Sequence, residues 1–144
     1  MIHGRVGRRF WVFAAMILAL GGAAAALGLW AQGVGNVEAG PNQVIFYEHT
    51  NWGGNSMDRE LDQSIPDLRT WKFNASSTNW NDEISSIKVG KNVKVTVYKD
   101  INYKGNHITL LGKGSGGAGD FPNLVNIGWN DKISSLKVQI GNVN

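Results

Sequence analysis

The chain has 144 residues, with 14 Lys and Arg against 11 Asp and Glu, 19 Gly, 6 Trp and no Cys. That leaves room for one small domain and an appendage, and it excludes a second full-sized domain or a disulfide framework. The formal charge of +3 comes from Arg5, Arg8 and Arg9, because from residue 34 onward 11 basic side chains face 11 acidic ones. Without a dense basic face to displace counterions, nucleic acid is not an expected partner.

Residues 1 to 9 are basic, and Phe10 to Trp30 run for 21 residues without a charge. This is the pattern of a signal peptide, here placed at residues 1 to 33, with Ala23 to Ala26 and Ala31 as possible cleavage points. At about 1.5 Å per residue the apolar run also reaches across a bilayer of about 30 Å, so an uncleaved membrane anchor is the alternative. The expected location is secreted, periplasmic or cell-envelope, with membrane contact only if the leader stays attached. Arg8 and Arg9 before Phe10 resemble a twin-arginine signal, a pairing that arises often by chance in basic heads. Residues 34 to 42 are rich in Gly, Asn and small side chains without apolar period and read as a linker.

The domain is expected over residues 43 to 141. Period-two alternation appears at Val93, Val95 and Val97 and again at Leu136, Val138 and Ile140, the pattern of half-buried strands. Shorter apolar runs, Val44 to Tyr47, Ile84 to Val89 and His107 to Leu111, end in Gly, Asn or Asp, and no segment sustains a helical period. The fold class is all-β.

The chain repeats itself. Tyr47, Trp52 and Gly54 recur as Tyr98, Tyr103 and Gly105, an offset of 51. Each copy turns a proline corner, IPDL at 65 to 68 and FPNL at 121 to 124, and closes on WNDEISSIKV at 80 to 89 or WNDKISSLKV at 129 to 138. Eight of the ten closing positions are identical. Self-similarity of this kind fixes architecture before any motif is interpreted, with motif 1 over about 43 to 90 and motif 2 over about 91 to 141.

Short polar residues and glycine often only build turns, and the opening aromatics and glycines are read that way. The closing N-D-x-x-S-S asks for more, because a turn does not need a carboxylate and two hydroxyls at fixed spacing. Each copy concentrates oxygen: Asp82 or Asp131, Asn81 or Asn130, and the hydroxyl pairs Ser85 and Ser86 or Ser134 and Ser135. Calcium takes six to eight such ligands, so two loops imply two sites. Zinc or copper would want His or Cys, but only His49 and His107 follow residue 34, at non-equivalent places, and no EF-hand loop is present. No nucleophile with a partnered base and no phosphate loop is apparent, so catalysis is not expected. Of Trp52, Trp71, Trp80 and Trp129, most are expected in the core; Trp71, in the longer loop, is the candidate for an exposed glycan contact. Asn74 to Ser76 form a glycosylation sequon that occurs often by accident.

These two motifs in the same order twice resemble the microbial calcium-binding members of the βγ-crystallin superfamily, over residues 43 to 141. The resemblance implies a sandwich of two Greek-key motifs, with two four-stranded antiparallel sheets and two Ca2+ ions between paired loops. It implies side-chain ligands at Asp82 and Asp131, carbonyl ligands at Glu83 and Lys132, exchanged hydroxyls at Ser85 and Ser134, and further carbonyls at Glu48 and Lys99. Asn81 and Asn130 would support the loops. The stretch RTWKFNASSTN and the Gly-rich GKGSGGAGD are expected as surface loops. The chain is thus expected to be a monomeric exported calcium-binding domain; a surface-binding, glycan-binding, toxin or inhibitor module on the same fold is the alternative.

Overall fold

The computed structural model describes residues 37–73 and 77–142; the leader, the first linker residues and the sequon at 74 to 76 lie outside them. Seven strands follow in order: β1 (Gln43–Tyr47), β2 (Ser56–Glu60), β3 (Ser86–Val89), β4 (Val93–Asp100), β5 (Lys104–Leu111), β6 (Asp120–Phe121) and β7 (Ser135–Ile140). They form two sheets, β2-β1-β3-β6 and β5-β4-β7. All sheet pairings are antiparallel.

The alternation read from the sequence places the core. On the first sheet Val44 lies opposite Val89 and Phe46 opposite Ile87, while on the second Val95 lies opposite Val138 and Val97 opposite Leu136. These inward residues are buried, and Ile65, Leu68, Ile84, Leu124 and Ile133 from the loops fill the ends between them. At roughly 1.5–3 kcal/mol for each large aliphatic side chain removed from water, this layer is the main driving force for a domain without disulfides.

The motifs exchange strands. β6 belongs to motif 2 by sequence but pairs with β3 of motif 1. The matching segment of motif 1 lies along β7, where Asp62 N–H donates to Val138 O at 3.0 Å and Ile65 exchanges both backbone bonds with Leu136 at 2.9 Å. It stops short of a strand because Val138 N–H is taken by the Ser64 hydroxyl at 3.1 Å and Asp62 turns with φ 65°. The second sheet therefore has three strands and one isolated bridge in place of the fourth strand expected.

Three stretches read from the sequence as surface loops or linker are also tied into the domain. The stretch after the first proline corner closes on itself: Lys72 bridges Asn79, Trp80 N–H donates to Trp71 O at 2.8 Å, and Phe73 is buried edge-on against Trp80. It is a hairpin that contributes to the core, because its Phe and the following Trp bury each other. The Gly-rich run packs tightly, since a Cβ on Gly112 would collide with the backbone of Gly90. Residues 37 to 42, linker by composition, are bonded to the domain: Lys88 is buried on the outer face of β3, and its ammonium donates to Val37 O at 2.8 Å. Pro41 O accepts from Asn92 N–H at 2.9 Å.

Candidate metal centre

The closing loops meet across the approximate internal dyad. Asp82 N–H donates to Ile133 O at 3.0 Å, and Asp131 N–H donates to Ile84 O at 3.3 Å, so each loop is held by the other motif. Each opening hairpin is likewise pinned by the partner's proline corner: Asn51 N–H to Pro122 O and Asn102 N–H to Pro66 O, both at 2.7 Å. The opening turns need left-handed backbone at Asn51, Trp52 and Gly54, and at Asn102, Tyr103 and Gly105. At Gly54 a Cβ would also press on the Glu48 side chain, so the repeated glycine is fixed by the fold.

This frame brings opposite motifs together at two points. The Ser85 hydroxyl lies 3.2 Å from Asp131 Oδ1, and the Ser134 hydroxyl 3.5 Å from Asp82 Oδ1. Both serines are buried and anchored by their own backbones, Ser85 N–H to Tyr47 O and Ser134 N–H to Tyr98 O, each at 2.9 Å. Both aspartates sit in the left-handed region, φ 57° for Asp82 and 51° for Asp131. Asn81 Nδ2 donates to Asp82 Oδ2 at 2.6 Å and Asn130 Nδ2 to Asp131 Oδ2 at 2.5 Å, which orients each carboxylate.

The adjacent hydroxyls do different work. Ser86 donates to His49 O at 2.7 Å and accepts from Trp52 N–H at 3.2 Å; Ser135 repeats this with Asp100 O at 2.6 Å and Tyr103 N–H at 3.0 Å. Sequence alone offered all four hydroxyls as oxygen ligands. The structure spends Ser86 and Ser135 on latching the opening turns and leaves Ser85 and Ser134 at the aspartates.

The carbonyl positions fall beside these pairs. Glu83 and Lys132 follow the aspartates, Glu48 follows β1, and Lys99 sits at the register shift of β4, between Tyr98 and Asp100. Among the described residues no loop hydrogen bond ends on the carbonyls of Glu48, Glu83 or Lys132. The Glu48 carboxylate is engaged with Asn55, through N–H at 3.0 Å and Nδ2 at 2.8 Å, and the backbone bond holds it below the usual glutamate range. The Lys132 ammonium turns back to Gly128 O at 3.0 Å.

The electrostatics favour a cation. Burial pushes the Asp82 carboxyl up, against its hydrogen bonds from Asn81 and Ser134, and the charge of Asp131 adds to the rise. Glu83 is raised by burial first and then by Asp131, Glu48 and Asp82. The Asn81 and Asn130 Oδ1 atoms are buried and meet no donor among the described residues. Among the described residues no group of three or more His, Cys, Asp and Glu is gathered, so each centre offers one carboxylate among neutral oxygens. An all-oxygen donor set with unsatisfied acceptors fits a hard divalent ion and does not fit a soft one.

The domain matches known proteins along most of its length. A model of peptidase inhibitor family I36 matches residues 41–110. Spherulin-3A of Physarum polycephalum is 33% identical over 96 residues, which are 67% of this chain and 81% of that protein. A domain solved in work on the evolution of the eye lens beta-gamma-crystallin fold superposes with a TM-score of 0.60 at 29% identity, over 74% of this chain and 93% of that one. A βγ-crystallin domain of the abundant perithecial protein of Neurospora crassa, solved in its Ca2+-bound form, shares the fold at 20% identity and a TM-score of 0.53, over 75% of this chain and 99% of that one. With its interlocked motifs and this degree of likeness to spherulin-3A, the chain belongs to the βγ-crystallin superfamily.

Proposed function

We propose that this is an exported calcium-binding domain with two Ca2+ sites, and that the ions brace the sandwich. The reading rests on the reciprocal approach of Ser85 to Asp131 and Ser134 to Asp82. Two copies of one loop, each incomplete alone, share oxygens across the dyad. Asp82 with Glu83, Ser134 and Lys99 or Glu48 would hold one ion, and Asp131 with Lys132, Ser85 and the other opening carbonyl the second. The ion would supply the positive charge that offsets the raised Asp82 carboxyl; the protein supplies prepositioned oxygens. With one carboxylate per site, affinity should fall below that of an EF-hand. The Neurospora crassa domain supports the reading only to the extent that the fold can hold the ion. Export rests on the charge-free run at 10 to 30.

Calorimetric titration of calcium into the full chain tests the reading, with Asp82→Ala and Asp131→Ala beside the wild type. Two equivalents are expected, each variant losing one. An absent binding heat, with identical melting in chelator and in millimolar calcium, would overturn it.

The match over residues 41–110 favours a second, non-catalytic reading, a peptidase inhibitor built on the same domain. Residual activity across a panel of serine, cysteine and metallopeptidases measures it, and unaffected activity throughout would remove it.

A further inference from the structure

The two motifs differ most sharply beside the free edge of β2. Arg59 faces inward there, opposite Val44, at the place where motif 2 puts the buried Leu110 opposite Val95. Three residues beyond the buried Leu68 stands Trp71, where motif 2 has Ile127 three residues beyond Leu124. The Arg59 guanidinium lies 3.6 Å from the Trp71 ring centroid, and Trp71 remains 38% exposed. The two side chains line a groove of about 300 Å³ with Lys72, Gln63 and Ser56 around it and Trp80 at its floor.

Arg59 is left with unused bonding capacity. Among the described residues its buried Nε–H meets no acceptor and its guanidinium forms no ion pair. The nearby Asp58 lies on the opposite face of β2, across from Ile45, where its carboxylate lies 3.5 Å from Gln43 Nε2. Burial lowers the Arg59 pKa, and the charge of Asp58, which also borders the groove, offsets this only in part. Stacking occupies only the π faces of a guanidinium and leaves its in-plane N–H fork free for a carboxylate.

We propose that this groove binds an acidic saccharide, the ring packing on Trp71 and a uronate carboxylate meeting Arg59 with Lys72 beside it. Arg59 and Lys72 against Asp58 leave a single net positive charge in the groove, which suits one carboxylate per sugar ring rather than a phosphate dianion. An extended acidic peptide fits less well, because the Glu60 N–H it would pair with is already taken by Gln63 Oε1 at 3.1 Å. Ser56 and Gln63 offer polar groups to the sugar hydroxyls, the usual supplement to an aromatic platform. The groove shares no residue with the proposed calcium sites.

Trigalacturonate, titrated into the full chain by calorimetry in chelator and again in calcium, tests the proposal, with its methyl ester as neutral control. Binding is expected to agree within about twofold in the two conditions and to weaken by about tenfold or more for the ester, as for other lost bonds to a charged group. Arg59→Leu should lose the same factor while keeping its melting temperature, since Leu110 already serves at the equivalent place. Trp71→Ala should weaken the acid and the ester alike. No heat with trigalacturonate, equal affinity for the ester, full binding by Arg59→Leu, or tighter binding of polyglutamate or inorganic phosphate would each overturn it. None of these outcomes bears on whether calcium binds.

Discussion

Motif 1 and motif 2 are most alike where they touch each other and least alike where they do not. The closing loops share eight of ten residues, and both aspartates and the serines Ser85 and Ser134 are bonded across the dyad. Away from that seam the copies diverge. Lys88 is buried beneath Val37 and lies 4.8 Å from the Trp52 ring, whereas its counterpart Lys137 is only half-buried, 4.7 Å from the Tyr103 ring. Arg59 and Trp71 replace Leu110 and Ile127. Mutual dependence preserves a loop, because a change on one side breaks a bond on the other; surfaces without a symmetric partner are free to specialise.

Transplanting the most divergent position is the hardest test of this contrast. Leu110→Arg places a guanidinium at a buried site whose motif offers Ile127 instead of an indole, leaving the charge without a stack. It should cost about 3 kcal/mol in chemical denaturation, the scale for an uncompensated buried charge. The reverse change, Arg59→Leu, should be neutral or stabilising. If both cost the same, the asymmetry of the two edges carries no energetic meaning.

The seam predicts a reversal of sign. Because burial raises the Asp82 carboxyl, the calcium-free domain carries an unfavourable charge at pH 7. The relief from protonating it is fully present below the unfolded value and disappears as pH rises through the higher folded one. Asp82→Asn should therefore raise the melting temperature in chelator. With calcium at ten to a hundred times its dissociation constant, the same variant should forfeit about 1.4–2.7 kcal/mol of ion-linked stability. Acidification from above through the raised value should weaken calcium binding while relieving the ion-free domain. A variant that melts lower in both conditions would mean that Asp82 serves the fold and not an ion.

The split between neighbouring hydroxyls gives a smaller effect. Ser86→Ala strands Trp52 N–H and His49 O, so it should cost about 1 kcal/mol equally with calcium and with chelator. Ser85→Ala should leave melting in chelator nearly unchanged and weaken calcium at one site. Interchanged phenotypes would reverse the assignment.

That split marks the limit of what the sequence makes legible. Repetition of Tyr-Trp-Gly and of N-D-x-x-S-S is visible by eye, and alternation at Val93 to Val97 and Leu136 to Ile140 locates β4 and β7. β2 is hidden because Arg59 stands where the alternation needs an apolar residue, and β6 because two residues make no period. Adjacent serines look equivalent in a string, yet successive residues of an extended chain point to opposite sides, so one reaches the aspartate and the other the opening turn. The exchange of Ser85 and Ser134 between motifs follows from the resemblance and not from spacing, since 46 and 52 residues separate the bonded partners. The hairpin after Leu68 was opaque for a different reason: Phe73 becomes a core residue only once Trp80 is folded against it.

The proline corners carry the smallest expected difference between the copies. Asp67 and Asn123 both accept from the N–H two residues on, at 3.0 and 2.9 Å, but only Asp67 carries charge, and it grips Arg69 at 2.7 Å where motif 2 has Val125. The Arg69 guanidinium holds the Asp67 carboxyl below the usual aspartate range, with the backbone bond helping. A carboxyl lowered on folding contributes stability above its unfolded pKa and loses it as pH falls through the folded value. Asp67→Asn, which copies the residue of motif 2 and keeps the turn, should leave melting near pH 7 almost unchanged and flatten the acid limb of the stability curve. High salt should shrink that difference, because the pair is exposed. If the variant instead melts lower at every pH, the turn and not the charge is what Asp67 supplies, and the two corners are equivalent after all.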